Sequence, residues 1–426
     1  MLFHYGTQYV RAKKKKLLCQ SINMSQQIYD LIVEEYPLGI ILPVRCGDKT
    51  TGDSNDLGGV VTKYGEYVSS STIPGWITGM YKDYQYTYSS DIAIYCGRMI
   101  GQWGHFLLET ITRLWFLLEY DNPSFVYVFI VREGTNPPIT NNFKQFFELL
   151  GISKRLVFLS IPTQYQKVIV PQRSFQYKRF YSVHYAKILD RVINRALQSN
   201  IFRLKSDKIF LSRSKFNKAR KTEVGLAMLD DYFIRNGYEI ICPECISLSE
   251  LILKIHSAKQ CVAESGSVAH NFLFCQNEKD TVVMERQTFV NDAQTSIDCV
   301  RKLKTKYVDS HLTIFPIYTG AGPFFLYYTS CFKEYTYDMG YLNPSPEYTT
   351  STYLGKCLGN YIEMYKEIYE RNLPFKGNEE RFSELLNEAY LETCCVMEEN
   401  GIKLHLENKN CVYVDLDITL KYNGIV

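Results

Sequence analysis

The sequence predicts a two-domain α/β protein with a C-terminal extension, and three observations carry that expectation. Short β-rich runs alternate with helical patterns through residues 38–198, and alternate again, more cleanly, through 208–285. Strands and helices at this spacing form parallel sheets through right-handed βαβ crossovers. The chain has 426 residues, more than one hydrophobic core usually supports. A helical pattern over 182–198 bridges the two alternating halves, and the segment 199–206 behind it is the expected boundary. These observations divide the chain into a Rossmann-like domain over 1–205, a second over 206–310 and an extension over 311–426.

In the first half, runs 38–44 and 91–96 read as strands, and 102–120 reads as one helix with an apolar stripe at Phe106, Leu107, Ile111, Leu114, Trp115 and Leu118. Further strands are expected at 126–131, 156–159 and 167–170, with a helix over 143–150 stopped by Gly151 at a C′ position. In the second half, 208–213 is a strand, 222–236 a helix stopped by Gly237, and 238–242 a strand. Ser247 and Glu250 form a capping box that opens a helix. Residues 259–264 then read as a buried strand, 266–275 as a short helix and 281–285 as another strand. Regularity fades after 287; 317–354 has the Tyr, Thr, Gly and Pro content of long ordered loops. Helices resume at 361–370 and 380–399, and an alternating strand pattern occupies 412–420.

Hydrophobic residues make up 46% and charged residues 22% of the chain, ordinary globular usage. A formal net charge of +3 gives no support for nucleic-acid binding, which usually shows a strongly basic domain. The 13 scattered cysteines fit a reducing cytoplasm better than secretion. No apolar segment follows the first charges as a signal peptide requires, and the most apolar window, 106–118, is broken by Glu109, Thr110, Thr112 and Arg113. A cytoplasmic protein is therefore expected. Lys13, Lys14, Lys15 and Lys16 would draw it to anionic headgroups at the inner face of a membrane, at about 1 kcal/mol per cation; a solvated loop is the alternative.

The run Glu264-Ser265-Gly266-Ser267-Val268-Ala269-His270-Asn271 lies between a buried strand and a helix. Ligands bind at the carboxyl ends of parallel strands, and a helix N-terminus with a glycine for close approach suits a diphosphate. Ser265 and Ser267 add hydroxyl donors. Arg213, Lys215, Lys218 and Arg220 follow another strand end, where they would neutralise a departing diphosphate. An ordinary strand–helix turn and a solvated basic loop are the plainer readings. His105 and Glu109, four residues apart, share a helix face with Arg113 one turn along. Either His105 or Glu109 could deprotonate an acceptor hydroxyl; a polar ladder that only orients the helix is the alternative.

These residues carry a resemblance. Leu211-Ser212-Arg213, the helix start from Ser247 to Leu251, and Gly266 to Asn271 follow the order seen in the donor domain of glycosyltransferase family 61, a group that includes capsular-polysaccharide transferases and eukaryotic xylose or N-acetylglucosamine transferases. The block Gly101-Gln-Trp-Gly-His-Phe-Leu-Leu-Glu-Thr-Ile-Thr-Arg-Leu-Trp115 is similar to a second family block, with a Gly-His-Phe-Leu-acid run before Arg-Leu-Trp. One departure is that Glu264-Ser265-Gly266-Ser267 stands where the family often has His-Gly-Ala, so no sugar-contacting His falls at position 264. The resemblance implies two Rossmann-like domains facing a cleft, the GT-B arrangement. It also implies an inverting transfer from a nucleotide-sugar, with UDP as the expected carrier, to a glycan or lipid-linked glycan of bacterial capsular or surface polysaccharide, without cofactor or metal. On that reading His105 or Glu109 is the base and Arg113 lies on the acceptor side. The donor is held by Arg213, Lys218, Arg220, Ser265, Gly266, Ser267, His270 and Asn271, with Glu285 on the ribose; a surface acid is the alternative for Glu285.

Other signals point elsewhere. Cys242-Pro-Glu-Cys245 has the spacing of a dithiol or half a zinc site, but no second pair accompanies it and Cys394-Cys395 is poorly placed to join it. Asp415-Leu-Asp417 imitates a metal-binding DxD yet sits in an alternating strand pattern near the end. A serine hydrolase using Ser265 or Ser267 with His270 would need the missing G-x-S-x-G elbow. A non-catalytic carbohydrate-binding or scaffold protein of the same fold completes the alternatives.

Overall fold

The structure, a computed structural model, describes residues 26–46, 56–135, 137, 139, 141–199, 207–220, 222–287, 290–312, 322–372, 404–406 and 420–422. The Lys13–Lys16 run, Cys394-Cys395 and Asp415-Leu-Asp417 lie outside them. So does the helix expected over 380–399, as does all of the 412–420 strand but its last residue.

The first half is built on an eight-stranded sheet. Its strands are β2 (Val33–Pro37), β3 (Ile40–Arg45), β4 (Asp56–Val61), β5 (Ile77–Gly79), β6 (Thr87–Arg98), β7 (Phe125–Ile130), β8 (Leu156–Leu159) and β9 (Thr163–Pro171). Across the sheet the order is β5-β4-β3-β9-β6-β7-β8, with β2 also on β9. β6, flanked by β9 and β7, forms the parallel centre with β8 outside β7. Ala93, Ile94 and Tyr95 are fully buried there, as a central parallel strand covered on both faces requires. β2 and β3 pair antiparallel with β9, and β4 antiparallel with β3. This antiparallel flank departs from a purely Rossmann-like half. Of its strands β3 was expected at 38–44, whereas β4 and β5 give weak strand signals because Asp56-Leu-Gly-Gly-Val-Val61 and Ile77-Thr-Gly79 are short and glycine-bearing. A small separate sheet joins β1 (Gln26–Ile28), β10 (Phe175–Gln176) and β11 (Phe180–Ser182).

The single helix expected over 102–120 is three pieces: α1 (Trp103–Leu108), a 3-10 turn (Thr110–Arg113) and α2 (Phe116–Glu119). The apolar stripe is still buried, with Leu118 half-buried at its end, so the periodicity holds while the continuity does not. Glu109 leaves helical geometry at φ −129°. Thr110 Oγ donates to the Arg98 carbonyl at 3.1 Å and accepts from Ile100 N at 3.3 Å, and Thr112 Oγ donates to the Glu109 carbonyl at 2.9 Å. Hydroxyls that bond the main chain compete with a continuous helix. Downstream, α3 (Asn141–Leu150) ends at Gly151, whose φ of +88° matches the expected C′ stop, and α4 (Val183–Ser199) closes the half.

The second half is a wholly parallel five-stranded sheet. It comprises β12 (Lys208–Leu211), β14 (Glu239–Ile241), β15 (Gln260–Glu264), β16 (Asp280–Glu285) and β17 (Lys304–Asp309), ordered β14-β12-β15-β16-β17. Between them run α5 (Asn217–Arg220), β13 (Glu223–Val224), α6 (Leu226–Arg235), α7 (Leu248–Ser257) and α8 (Asp292–Arg301). Ser247 caps α7 as expected, accepting from Glu250 N at 3.2 Å. The regularity continues beyond 287: α8 and β17 add one more helix–strand unit. β17 was hidden because Lys304, Thr305 and Lys306 are not buried and only Tyr307 and Val308 are, the mark of an edge strand. β18 (Phe324–Phe325) pairs with β13, and α9 (Ser330–Asp338), within the stretch expected as loops, packs Phe332 and Tyr335 against this sheet. α10 (Ser351–Asn372) is longer than the helix expected at 361–370, and β19 (Leu404–Leu406) pairs with β20 (Leu420–Tyr422).

One buried apolar cluster runs from β6 and β7 through α3, α4 and α7 to β12 and β15, including Phe129, Phe146, Val192, Ile255, Leu211 and Ala263. The two sheets therefore share a core. Among the described residues no helix is long and apolar enough to cross a membrane.

Candidate active site

α1 presents His105, and Glu109 stands at its C-cap. His105 Nδ1 lies 3.0 Å from Glu109 Oε2, and the same oxygen accepts from Trp76 Nε1 at 2.7 Å. The Trp76 ring meets the imidazole edge-on at 5.3 Å between centroids. The Glu109 side chain is 8% exposed and that of His105 43%. A carboxylate only accepts, so Nδ1 carries the proton in the neutral ring and Nε2 is left with a lone pair. The third residue of the expected ladder is elsewhere. The break at Glu109 turns Arg113 inward, where its fully buried guanidinium donates to the Pro171 carbonyl and, at 2.6 Å, to that of Ser70.

The second group forms where β12, β15 and β16 end side by side. Glu223 Oε1 accepts from Arg286 Nη1 at 2.5 Å and from Arg213 Nη2 and Nε at 2.9 and 3.0 Å. Glu264 Oε1 accepts from Arg213 N at 3.0 Å. Burial, and after it the Glu223 charge, pushes the Glu264 carboxyl well above the usual carboxylate range. Burial lowers Arg286 against its ordinary value, and Glu223 opposes that shift. Arg286 also stacks on Phe324, 4.0 Å from the ring centre. Gly266 has φ +110°, and a Cβ there would stand 2.6 Å from Arg286 Nη2. Only glycine lets the turn pass beneath this guanidinium.

The expected helix over 266–275 is a six-residue 3-10 turn, Ala269–Phe274, so the positive charge at this turn comes from Arg286 and Arg213 rather than from a helix dipole. Ser265 is buried with its N–H on the Met284 carbonyl at 2.9 Å, while Ser267 is exposed. Lys215 is exposed, and the side chains of Lys218 and Arg220 lie outside the described residues. Glu285 is 1% exposed, which rules out the surface-acid alternative; Ser310 donates to its carbonyl oxygen from N at 3.1 Å and Oγ at 2.8 Å.

The two groups meet. Trp103 Nε1 donates to Asn271 Oδ1 at 2.9 Å across 168 positions of sequence. A Cβ on Gly104 would come within 2.7 Å of both His270 Nδ1 and Ser267 Oγ. His270 is buried, and neither ring nitrogen has a hydrogen-bond partner among the described residues. Burial, then the charges of His105 and Arg286, push its pKa down to about 3, so it is neutral near pH 7. A serine–histidine dyad is therefore not formed.

Residues 103–284 match the family model Glycosyltransferase 61. The chain carries a glycosyltransferase family 61 domain. It is a glycosyltransferase, and the matched span opens at Trp103 and closes within β16, so that it covers His105, Glu109, Arg213, Glu223 and Glu264 and ends just before Glu285 and Arg286. No curated protein matches the chain. Sequence reasoning overlooked Trp76, Glu223 and Arg286 of the transferase. Arg286 left a signal, a cation directly after the strand-ending Glu285; Trp76 and Glu223 left none, because only the fold brings them in. The Cys242–Cys245 decoy has no support: the thiols are free, burial raises Cys242 when a reactive thiol needs a lowered pKa, and no metal-holding cluster occurs among the described residues.

Proposed function

We propose that the transferase moves a sugar from a nucleoside-diphosphate donor to a hydroxyl of a glycan acceptor in a single inverting displacement that needs no metal. What supports this reading is the junction itself: the Trp103–Asn271 bond sets a histidine–carboxylate pair beside a turn backed by two arginines. His105 is the base. Its Nε2 takes the proton of the acceptor hydroxyl while that oxygen bonds to the anomeric carbon. The bond from that carbon to the diphosphate oxygen breaks, and its electron pair leaves with the diphosphate. Glu109 holds the tautomer and stabilises the imidazolium that forms, as a carboxylate does behind a catalytic histidine. Arg286 and Arg213, held by Glu223, would take the leaving-group charge, with Gly266, Ser265, Ser267, His270 and Asn271 lining its path and Glu285 on the ribose side. The GT-B arrangement, a UDP carrier and a place at the inner face of a bacterial membrane belong to the same proposal. Sugar transfer by His105→Ala and Arg286→Gln, beside UDP affinity, tests the core of it. His105→Ala should lose transfer and keep UDP binding, whereas Arg286→Gln should weaken UDP; the reverse pattern would sink the assignment. Full activity in EDTA is the expected result for metal independence.

A further inference from the structure

A cavity of about 340 Å³ lies on the first-half side of the site, lined among others by Glu34, Ser70, Pro74, Arg113, Gln172 and Arg173. Its wall residue Arg173 is close enough to Glu109 to interact with that charge. Pro74 is two residues from Trp76, whose indole bonds Glu109, and the Thr112 carbonyl, three residues past Glu109, accepts from Ser174 N and Oγ at 2.9 and 2.6 Å. Its charges are out of balance. Arg113 is fully buried and, among the described residues, hydrogen-bonds neutral carbonyls of the main chain. Arg173 is half-buried, and its one hydrogen bond among the described residues is to the neutral Gln176 Oε1 at 2.6 Å. Neither guanidinium has a carboxylate within ion-pairing distance among the described residues, although buried charges are ordinarily paired. Burial, followed by the repulsion of Arg113, lowers Arg173 to about 10; Glu109 opposes that shift, and exposed Arg179 adds to it. Glu34, the one acid on the wall, is engaged by the Ser70 hydroxyl.

The geometry points to an anion-binding acceptor subsite: Arg173, with Arg113 behind it, receives a carboxylate or phosphate carried by the acceptor and so presents a neighbouring hydroxyl to His105. This rests on the proposed transfer and adds the acceptor's chemical class, an acidic or phosphorylated glycan. Arg suits the task because its planar fork takes both oxygens of such a group.

The test is thermal stabilisation of the full chain by glucuronate, by glucuronate methyl ester and by inorganic phosphate, with UDP as a separate arm, in the native protein and in Arg173→Gln. Saturable stabilisation by glucuronate but not its ester, weakened roughly tenfold or more in Arg173→Gln, is the expected result and assigns a carboxylate. An Arg173-dependent response to phosphate alone upholds the subsite and assigns a phosphate. No response to either anion, or an equal response to the ester, overturns it; so does an anion response unchanged in Arg173→Gln. The native-protein comparison of acid with ester needs no variant to fold. Loss of the UDP response alone would instead count against the donor site.

Discussion

The two sides of the junction handle charge in opposite ways. At α1 a histidine with an exposed face leans on a carboxylate that is itself mostly covered. At the ends of β12, β15 and β16 the charged groups are locked together: Glu223 binds two guanidiniums with one oxygen, and Glu264 is sealed from solvent. In the proposed transfer the first side changes charge during the reaction and the second keeps it. In each case one covered carboxylate orients the group that the proposed transfer brings to the substrate.

Four substitutions sharpen or break that contrast. The largest effect is expected from His105→Ala, which should lower kcat by about 10²–10⁴-fold with the melting temperature nearly unchanged; a large loss of stability would mean that the pair is structural. Glu223→Ala should do the opposite, costing about 3–5 kcal/mol in denaturant unfolding because both guanidiniums lose their carboxylate, and weakening UDP binding with it. Gly266→Ala places a methyl against Arg286 at a φ that disfavours side chains, and should cost roughly 1–3 kcal/mol together with nucleotide affinity.

The smallest effect concerns pH. His270 falls from an ordinary 6.5 to about 3 on folding, so between those values the unfolded chain binds more protons. Its contribution to stability is full above about pH 6.5 and is lost as the pH drops toward 3. Glu264, raised on folding, acts in the other direction, contributing at low pH and losing that contribution as the pH climbs past its ordinary 4.5. The stability difference between the native chain and His270→Asn isolates the first slope. A difference that does not vary from pH 6.5 down to the acid transition would show that His270 is not held neutral by its surroundings.

Periodicity and punctuation alone located most of the elements. The βα alternation of the second half, the Ser247 cap and the Gly151 stop are local signals that need no tertiary context, and the structure has each of them. The pairing of His105 with Glu109 was legible too, because a separation of four residues brings side chains together across one helical turn. Tertiary structure decided the rest. The helix through Arg113 broke because Thr110 and Thr112 found main-chain partners, and that break sent Arg113 to a different cavity. β17 was invisible because an edge strand need not be apolar. Glu223 and Trp76 came into the site through strand order and loop placement, which no local pattern encodes. What the sequence determined by itself was which residue types stand at strand ends and on one helical turn, since these depend on nearest neighbours. Which charges meet there was decided only when the shared core of α3, α4 and α7 drew the two sheets together, because a buried charge goes uncompensated unless a distant segment supplies its partner.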